Sequence, residues 1–346
     1  MRRRDVSRRA TVTRITVSMA VTVMVLAVGV LLAPAAGEAQ QAARQVKIGM
    51  LCAGFCPFPV PEATSRPLIN ALERVGLIQG RTLVWDIGGV VFSEDQIAVE
   101  AQKLVARRPD LILVWPGNVA AARAAKDATR TIPIVLMAVP DAVEHGLVDS
   151  LGHPGGNISG ISVPLFDLTM KQLQILTEIN PRLKGIIVVH GDLDRGQRQT
   201  VDRLRGAAAS LRLDAGISVT EARNVEQALA TAPAGVRAVL AIGSMPIAVE
   251  RGIRLLALER KLPFIMPWRA WEGGSTGTLI GYGPRFPAVA ERTVALIDRI
   301  LKGARPGDLP VEEPTSYALV IDGVMVKALG LTIPPSVRAR ADEVLD

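Results

Sequence analysis

Short apolar segments rich in β-branched residues alternate with amphipathic segments along most of the chain. Many of them, such as Leu111–Trp115, are apolar at every position, which is typical of parallel strands that helices cover on both faces. The pattern predicts these strands: Val46–Leu51, Thr82–Ile87, Leu111–Trp115, Ile132–Met137, Ile158–Val163, Gly185–His190, Gly216–Thr220, Ala238–Ile242, Phe264–Met266, Leu279–Tyr282 and Ala318–Ile321.

The segments between the strands have helical periodicity. Ser93 and Gln96 form a capping box, and the apolar positions that follow repeat at helical spacing until Arg108-Pro109. A later helix places Ala290, Val294, Ile297 and Leu301 on one face and stops before Gly303. This alternation predicts an α/β protein with doubly wound parallel sheets.

The number of predicted strands is too large for one small open sheet. The series divides near Gly152–Gly160, and each half has the length of an ordinary domain. Ligands of open parallel sheets bind beyond the carboxyl ends of the strands. We therefore expect two lobes that face each other across a binding cleft and are joined by a hinge.

The amino terminus has the pattern of an export signal. Six arginines precede the uncharged segment Ile15–Leu32, and the small residues up to Ala39 suit cleavage after that position. We expect residues 1–39 to be a signal peptide and the protein to be periplasmic. An uncleaved membrane anchor is the alternative, because the apolar segment is near the minimum length of a membrane span.

Charge does not indicate a nucleic-acid partner. The formal net charge is +7 for the 346 residues, but it falls to +3 when residues 1–39 are set aside. A nearly neutral domain lacks the excess of Lys and Arg that neutralises phosphates. We expect no nucleic-acid partner.

Nucleotide-binding motifs are missing from the sequence. The prolines in Cys52–Pro59 remove backbone N–H groups that a dinucleotide pyrophosphate needs after the first strand, and no Walker motif occurs. Cys52 and Cys56 are close enough in sequence for a local disulfide, and two free thiols are equally compatible with the spacing.

One motif is typical of hydrolases but lies in the wrong context. Gly273–Gly277 matches the G-x-S-x-G nucleophile elbow around Ser275, yet it precedes a strand, and the last histidine of the chain, His190, comes before it. The three histidines also lack metal-ligand spacing. We expect no catalytic residue, no metal and no cofactor, and hence no enzyme.

Several segments resemble the family of ABC-transporter substrate-binding proteins. The resemblance runs from about residue 46 to the end. Its motifs are Gly146-Leu147-Val148, Pro154-Gly155-Gly156-Asn157-Ile158-Ser159-Gly160, Gly281-Tyr282-Gly283-Pro284, Asp308–Thr315, Ala328–Ser336 and Ala341-Asp342-Glu343-Val344. It implies a type I periplasmic-binding-protein fold, with two lobes, three crossings and the ligand between them. We also expect a monomer whose partner is the membrane permease of an ABC transporter. Some members resemble tryptophan-, tyrosine- or other amino-acid-binding proteins.

The sequence departs from the family pattern at the cleft. The usual Gly-Gly-Thr-Pro is Gly117-Asn118-Val119-Ala120 here, so Val119 replaces a hydroxyl side chain. Asp141-Ala142 replaces Asp-Pro, and Gly191–Arg195 replaces an Asn-Pro-rich turn. Trp268 and Trp271 lie where a Tyr and an Arg are common. The fold tolerates these changes, but the ligand of a relative does not transfer directly.

Polar and aromatic residues near predicted strand ends are the candidate ligand contacts. Helix N-termini attract carboxylates, acidic side chains attract ammonium groups, and aromatic rings stack on flat solutes. Helix capping is the alternative for Ser244, and packing between lobes is the alternative for the aromatic residues. The candidates are Phe55, Trp115, Asn118, Asp141, Asp192, Ser244, Trp268 and Arg269.

The preferred hypothesis is an extracytoplasmic solute-binding protein of an ABC importer. Its ligand would be a small molecule such as an amino acid or another small carboxylate, with an aromatic one favoured. The alternatives are a ligand-sensing module for a membrane receptor and an exported hydrolase. A transcription-factor effector domain would need a helix-turn-helix where the signal segment lies. The predicted lobes are residues 45–157 plus 282–312, and residues 158–281 plus 313–346.

Overall fold

The computed structural model describes residues 45–51, 65–88, 94–117, 119–191, 195–232, 236–242, 247–266 and 278–345. Val46–Asp346 forms one compact unit. Within the described ranges, no helix is both long and apolar enough to cross a membrane. The predicted signal segment, Cys52, Cys56 and Ser275 all lie outside these ranges.

The first sheet has five parallel strands in the order β2-β1-β3-β4-β5. Three helices belong to the same half of the chain. The strands are β1 (Val46–Leu51), β2 (Leu83–Ile87), β3 (Leu111–Val114), β4 (Ile134–Pro140) and β5 (Ile158–Val163), and the helices are α1 (Arg66–Arg74), α2 (Glu94–Ala106) and α3 (Val119–Ala128).

The second sheet has four parallel strands in the order β7-β6-β8-β9. The strands are β6 (Gly185–His190), β7 (Gly216–Glu221), β8 (Val236–Ile242) and β9 (Phe264–Ile265), and the helices are α4 (Leu165–Ile179), α5 (Arg195–Ala207), α6 (Val225–Thr231) and α7 (Ile247–Glu259).

A third, three-stranded sheet follows in the order β10-β11-β12, with β10 and β11 antiparallel. Leu279 links it to the second sheet, because its N–H donates to Phe264 O and its C=O accepts from Asp322 N–H. The remaining elements are β10 (Ile280–Pro284), α8 (Phe286–Leu301), β11 (Tyr317–Asp322), α9 (Gly323–Ala328), α10 (Pro335–Arg338) and β12 (Glu343–Leu345).

Alternate residues of β3 and β4 enter different cores on the two faces of the first sheet. Leu111 and Leu113 pack with residues of α1 and α8, whereas Ile112 and Val114 pack with residues of α2 and α3. All four side chains are essentially inaccessible to solvent. Their burial on both faces explains why the sequence of β3 has no polar position.

The second sheet is covered in the same manner. Ile186 and Val188 pack with residues of α4 and α5, and Ile187 and Val189 pack with residues of α6 and α7. The structure therefore confirms the α/β doubly wound class. Each predicted strand overlaps an observed one, and Glu343–Leu345 is an additional short strand that the sequence pattern did not predict.

The predicted ends of two helices are also confirmed. Helix α2 ends at Ala106, just before Arg108, which has a left-handed φ of 51°. Helix α8 ends at Leu301, and Gly303 follows with a φ of 102° while its N–H donates to Ile300 O. These left-handed residues end each helix where the sequence predicts it.

The chain crosses between the two halves three times. The crossings follow β5 at Pro164, follow β10 at Arg285, and precede β11 between Glu312 and Tyr317. The strand β5 pairs with β4 in the first sheet, although the sequence-based boundary after residue 157 assigns it to the second lobe. The first crossing therefore begins after Val163.

Backbone hydrogen bonds hold the three crossings together in pairs. Ser162 N–H donates to Glu312 O, Glu312 N–H donates to Gly160 O, and Arg285 N–H donates to Ser316 O. The three crossings therefore lie side by side between the two halves.

Candidate functional site

The eight candidate residues all come shortly after the carboxyl end of a parallel strand. Phe55 follows β1, Trp115 and Asn118 follow β3, and Asp141 follows β4. The others follow β6, β8 and β9 of the second sheet: Asp192, Ser244, Trp268 and Arg269. Carboxyl ends of neighbouring parallel strands lie at one edge of a sheet, where open α/β sheets bind ligands.

Trp115 and Asp141 are the two candidates whose positions the structure describes. The other six lie outside the described residues: Phe55, Asn118, Asp192, Ser244, Trp268 and Arg269.

Trp115 is packed in the core at the end of β3. Its side chain is 6% exposed, and its ring centroid is 6.0 Å from that of Phe286, with the planes 54° apart. Phe286 is the first residue of α8, immediately after the crossing at Arg285. Trp115 therefore contributes to packing in the core of the first sheet, beside a crossing, and its contact with a ligand stays a prediction.

Asp141 faces the first crossing. Its φ of 42° is left-handed, a conformation that Asp tolerates better than most residues. Its N–H donates to Val163 O at 3.0 Å, and its Oδ1 accepts a hydrogen bond from Leu165 N–H at 3.0 Å. The carboxylate is thus engaged with the first residue of α4. The expected contact with an ammonium or hydroxyl group of a ligand stays a prediction.

The pKa of Asp141 is raised from 3.8 to about 6, mainly by burial and in smaller part by the nearby charge of Glu144. The hydrogen bond from Leu165 N–H and the charges of His145 and Arg203 oppose that rise in pKa. Desolvation disfavours the ionised carboxyl more than these partners favour it. Asp141 therefore changes its charge near pH 6.

A bulge in β4 brings Asp141 to this position. The register between β4 and β5 shifts between Leu136 and Val139, and Ala138 has a left-handed φ of 53°. Gly160 on β5 has a φ of 140°, and a Cβ there would overlap the Leu136 backbone. Only glycine permits this close approach, and the bulge then directs the turn after β4 toward the crossing.

The same turn is held by a buried hydroxyl. Ser162 Oγ accepts a hydrogen bond from Ala142 N–H at 2.9 Å. Ser162 is 3% exposed, so this bond is shielded from water. No pattern in the sequence marks Ser162, because a lone serine in a strand carries no recognisable motif.

The two tyrosines of the chain form a second feature that sequence reasoning missed. Tyr282 on β10 and Tyr317 on β11 stack with their ring centroids 5.7 Å apart and their planes 15° apart. Beside them lies a cavity of about 190 Å³, lined by Lys171, Ile175, Tyr282, Tyr317, Leu319, Arg340 and Asp342. Burial raises the pKa of Tyr317, and the charge of Glu313 adds to that rise.

Two doubly wound parallel sheets joined by three adjacent crossings define a two-lobed α/β fold. The family described as ABC transporter substrate binding protein matches residues 58–345. The chain belongs to this family, as its motifs predicted. It is a substrate-binding protein of an ABC transporter, and its family is one of extracytoplasmic binding proteins, not of enzymes.

A curated relative carries a more specific name. The "Tyrosine-binding protein" of Clostridioides difficile is 30% identical over 285 residues, which cover 79% of this chain and 78% of the relative.

Solved structures share the fold. A conserved domain protein from Vibrio cholerae is 24% identical with a TM-score of 0.73, and the match covers 87% of this chain and all of that one. A Streptococcus pneumoniae ABC domain in complex with L-Trp is 22% identical with a TM-score of 0.68, over 86% of this chain and all of that one.

A ligand-free, open substrate-binding protein with adhesive properties from Clostridium difficile is 25% identical with a TM-score of 0.60, over 87% of this chain and 99% of that one. These likenesses confirm the predicted type I periplasmic-binding-protein fold.

Proposed function

We propose that this protein binds an aromatic amino acid, with L-tyrosine the first choice, in the cleft between its two lobes. The observation that supports this ligand most strongly is the 30% identity with the Tyrosine-binding protein over 79% of the chain. The sequence adds aromatic side chains near the strand ends, Phe55, Trp268 and Trp271, in a chain with only 3% aromatic residues. Rings of this kind stack on a flat apolar solute.

The polar groups at the same edges suit the two charged ends of an amino acid. Helix α3 begins at Val119, just beyond Asn118, so its first backbone N–H groups and the Asn118 amide can bind a carboxylate. Asp192 follows β6 and can accept hydrogen bonds from an ammonium group. Ser244 and Arg269 follow strands of the same sheet and complete the proposed polar set.

Solute binding would close the lobes by rotation at the three crossings. On this proposal, lobe 1 comprises residues 46–163 plus 286–312, and lobe 2 comprises residues 165–284 plus 317–345. The closed form would be the one that the permease recognises, because closure gives the surfaces of the two lobes a fixed relative orientation. The protein acts as a monomer and needs no nucleic acid.

Export by the segment 1–39 would place the protein in the periplasm. Its arginines, the apolar segment Ile15–Leu32 and the small residues before Gln40 support cleavage after Ala39. Mass spectrometry of the protein recovered from the periplasmic fraction tests this: cleavage predicts that the chain begins at Gln40, and an intact amino terminus in the membrane fraction would indicate an anchor.

Isothermal titration calorimetry with L-tyrosine, L-tryptophan, L-phenylalanine and L-leucine tests the ligand class. We expect saturable 1:1 binding of at least one aromatic amino acid and at least about 10-fold weaker binding of L-leucine, a difference of about 1.4 kcal/mol. Glucose serves as the control solute. Tighter binding of L-leucine or glucose than of every aromatic amino acid would refute the proposal.

A further inference from the structure

The side chain of Asp141 connects the end of the first sheet with the start of the helix that leads into lobe 2. Its Oδ1 accepts the Leu165 N–H at 3.0 Å, while its own N–H donates to Val163 O at 3.0 Å. The segment Val163–Leu165 is the first crossing. Asp141 is therefore hydrogen-bonded to the residue before Pro164 and to the residue after it.

Helix α4 transmits this contact to both cores. Leu168, in its first turn, packs in the core of the first sheet, whereas Leu173 and Leu176 pack in the core of the second sheet. Because a helix is rigid over this length, fixing its first N–H constrains how the second core is oriented on the first.

Charged groups from two elements lie near the Asp141 carboxylate. Glu144 and His145 lie in the turn after β4, and Arg203 lies on α5. The Arg203 guanidinium carbon is 3.7 Å from the ring centroid of Phe166, the second residue of α4. The neighbourhood thus contains one further acid and two bases, and lobe 2 contributes Arg203.

We propose that Asp141 is a positioning residue for solute binding: its ionised carboxylate fixes the start of α4 at the crossing and so sets the geometry in which the two lobes meet the solute. The inference rests on the proposed function, because it requires the lobes to move about the crossings. A hydrogen bond to an ionised acceptor is about twice as strong as one to a neutral acceptor. Protonation of Asp141 therefore loosens the crossing, and solute affinity falls.

Backbone amide NMR of the ligand-free protein tests the positioning role without any solute. The Leu165 amide should shift with a midpoint near pH 6, which is where burial places the pKa of Asp141. The Arg285 amide, which donates to Ser316 O at another crossing, should shift with the same midpoint. Both shifts should be absent in Asp141→Asn, whose side-chain oxygen can still accept the Leu165 hydrogen bond but does not titrate.

Glu144→Gln is the matched control, since it removes one negative charge from the same turn and leaves the Leu165 hydrogen bond in place. The Glu144 charge raises the pKa of Asp141, so its removal should move the midpoint to slightly lower pH and keep the amplitude. A Leu165 shift without a midpoint near pH 6, or a Leu165 shift with no accompanying Arg285 shift, would overturn the positioning role. The latter result would mean that Asp141 only caps α4.

The affinity for L-tyrosine and L-tryptophan provides the functional measurement. In the native protein we expect affinity to fall about 3- to 10-fold between pH 7.5 and pH 5, because a loosened crossing costs more entropy to order on binding. Asp141→Asn should have a flatter pH profile, and Asp141→Ala should bind about 3- to 10-fold more weakly at pH 7.5. Equal affinities and pH profiles for all three proteins would overturn the inference. If neither amino acid binds, the proposed ligand is wrong, and the amide titration decides the role of Asp141.

Discussion

Tyr282 and Tyr317 stack across the antiparallel pair β10–β11, at the point where two of the three crossings lie side by side. Their ring centroids are 5.7 Å apart. Tyr282 packs against the cores of both sheets, and Tyr317 packs against that of the first. The stack therefore packs between the two cores, beside two of the crossings.

Loss of this stack should destabilise the protein. Tyr317→Ala removes a half-buried ring and its partner contact, and we expect a loss of about 1–3 kcal/mol in the free energy of unfolding. Tyr317→Phe keeps the ring and should stay within about 0.5 kcal/mol of the native protein. Urea denaturation of the two variants measures the difference. Equal stability of Tyr317→Ala and Tyr317→Phe would show that the stack contributes nothing.

Replacement of Gly160 should be among the most damaging single substitutions. A Cβ there would lie 2.7 Å from Leu136 Cα and would also overlap backbone atoms of the same residue, so Gly160→Ala must displace β4 from β5. We expect a loss of at least about 3 kcal/mol, within the range typical of overpacking combined with backbone strain.

Gly76→Ala is the control for backbone conformation alone, because Gly76 has a φ of 82° and a Cβ added to it would meet no atom within 4 Å. It should cost only about 1 kcal/mol, the usual penalty for a left-handed alanine. Thermal unfolding of both variants separates the two effects. A Gly160→Ala protein as stable as Gly76→Ala would contradict the close approach of β5 to β4.

The raised pKa of Asp141 predicts a pH dependence of stability. A carboxyl whose pKa is about 6 in the folded chain and 3.8 in its ordinary state contributes stability below pH 3.8 that is lost as the pH rises through 6. Asp141→Asn lacks this dependence. Relative to the native protein, the variant should therefore gain up to about 3 kcal/mol between pH 4 and pH 7. Urea unfolding at both pH values measures it, and a constant difference would rule out the raised pKa.

Trp115 should affect stability more than solute recognition. Its side chain is 6% exposed and contacts Phe286, so Trp115→Ala should lower the free energy of unfolding by about 3–5 kcal/mol. Trp115→Phe retains most of the apolar contact and should bind the solute within about 3-fold of the native protein. A large loss of affinity with unchanged stability in Trp115→Phe would instead show that the indole contacts the solute.

The sequence was sufficient to predict the sheets because both cores are built from continuous apolar strands. Leu111–Val114 and Ile134–Pro140 are apolar and buried at every position, as expected of strands between two helical layers. The sequence pattern did not predict β12, because Glu343–Leu345 is short, partly exposed and acidic at its first position. It also ended β4 too early, since the bulge at Ala138 lets the strand continue to Pro140.

The candidate site was predictable only as a location. Strand ends indicate which loops lie at the cleft edge, but they do not show where a side chain points. Asp141 illustrates the limit: its position after β4 was correct, while its hydrogen bond to Leu165 depends on a bulge and on Gly160, which lies on the neighbouring strand. Contacts between residues distant in sequence depend on tertiary packing, and no local pattern encodes them.

The central claim is that an aromatic amino acid binds reversibly between the carboxyl edges of the two sheets. A crystal structure of the protein grown with L-tyrosine tests this claim most directly. We predict that the amino acid, chemically unchanged, lies between the loops that follow β1 and β3 and those that follow β6 and β8, with the lobes closed around it. A tyrosine bound outside this cleft, or a cleft occupied by a solute of another class, would contradict the claim.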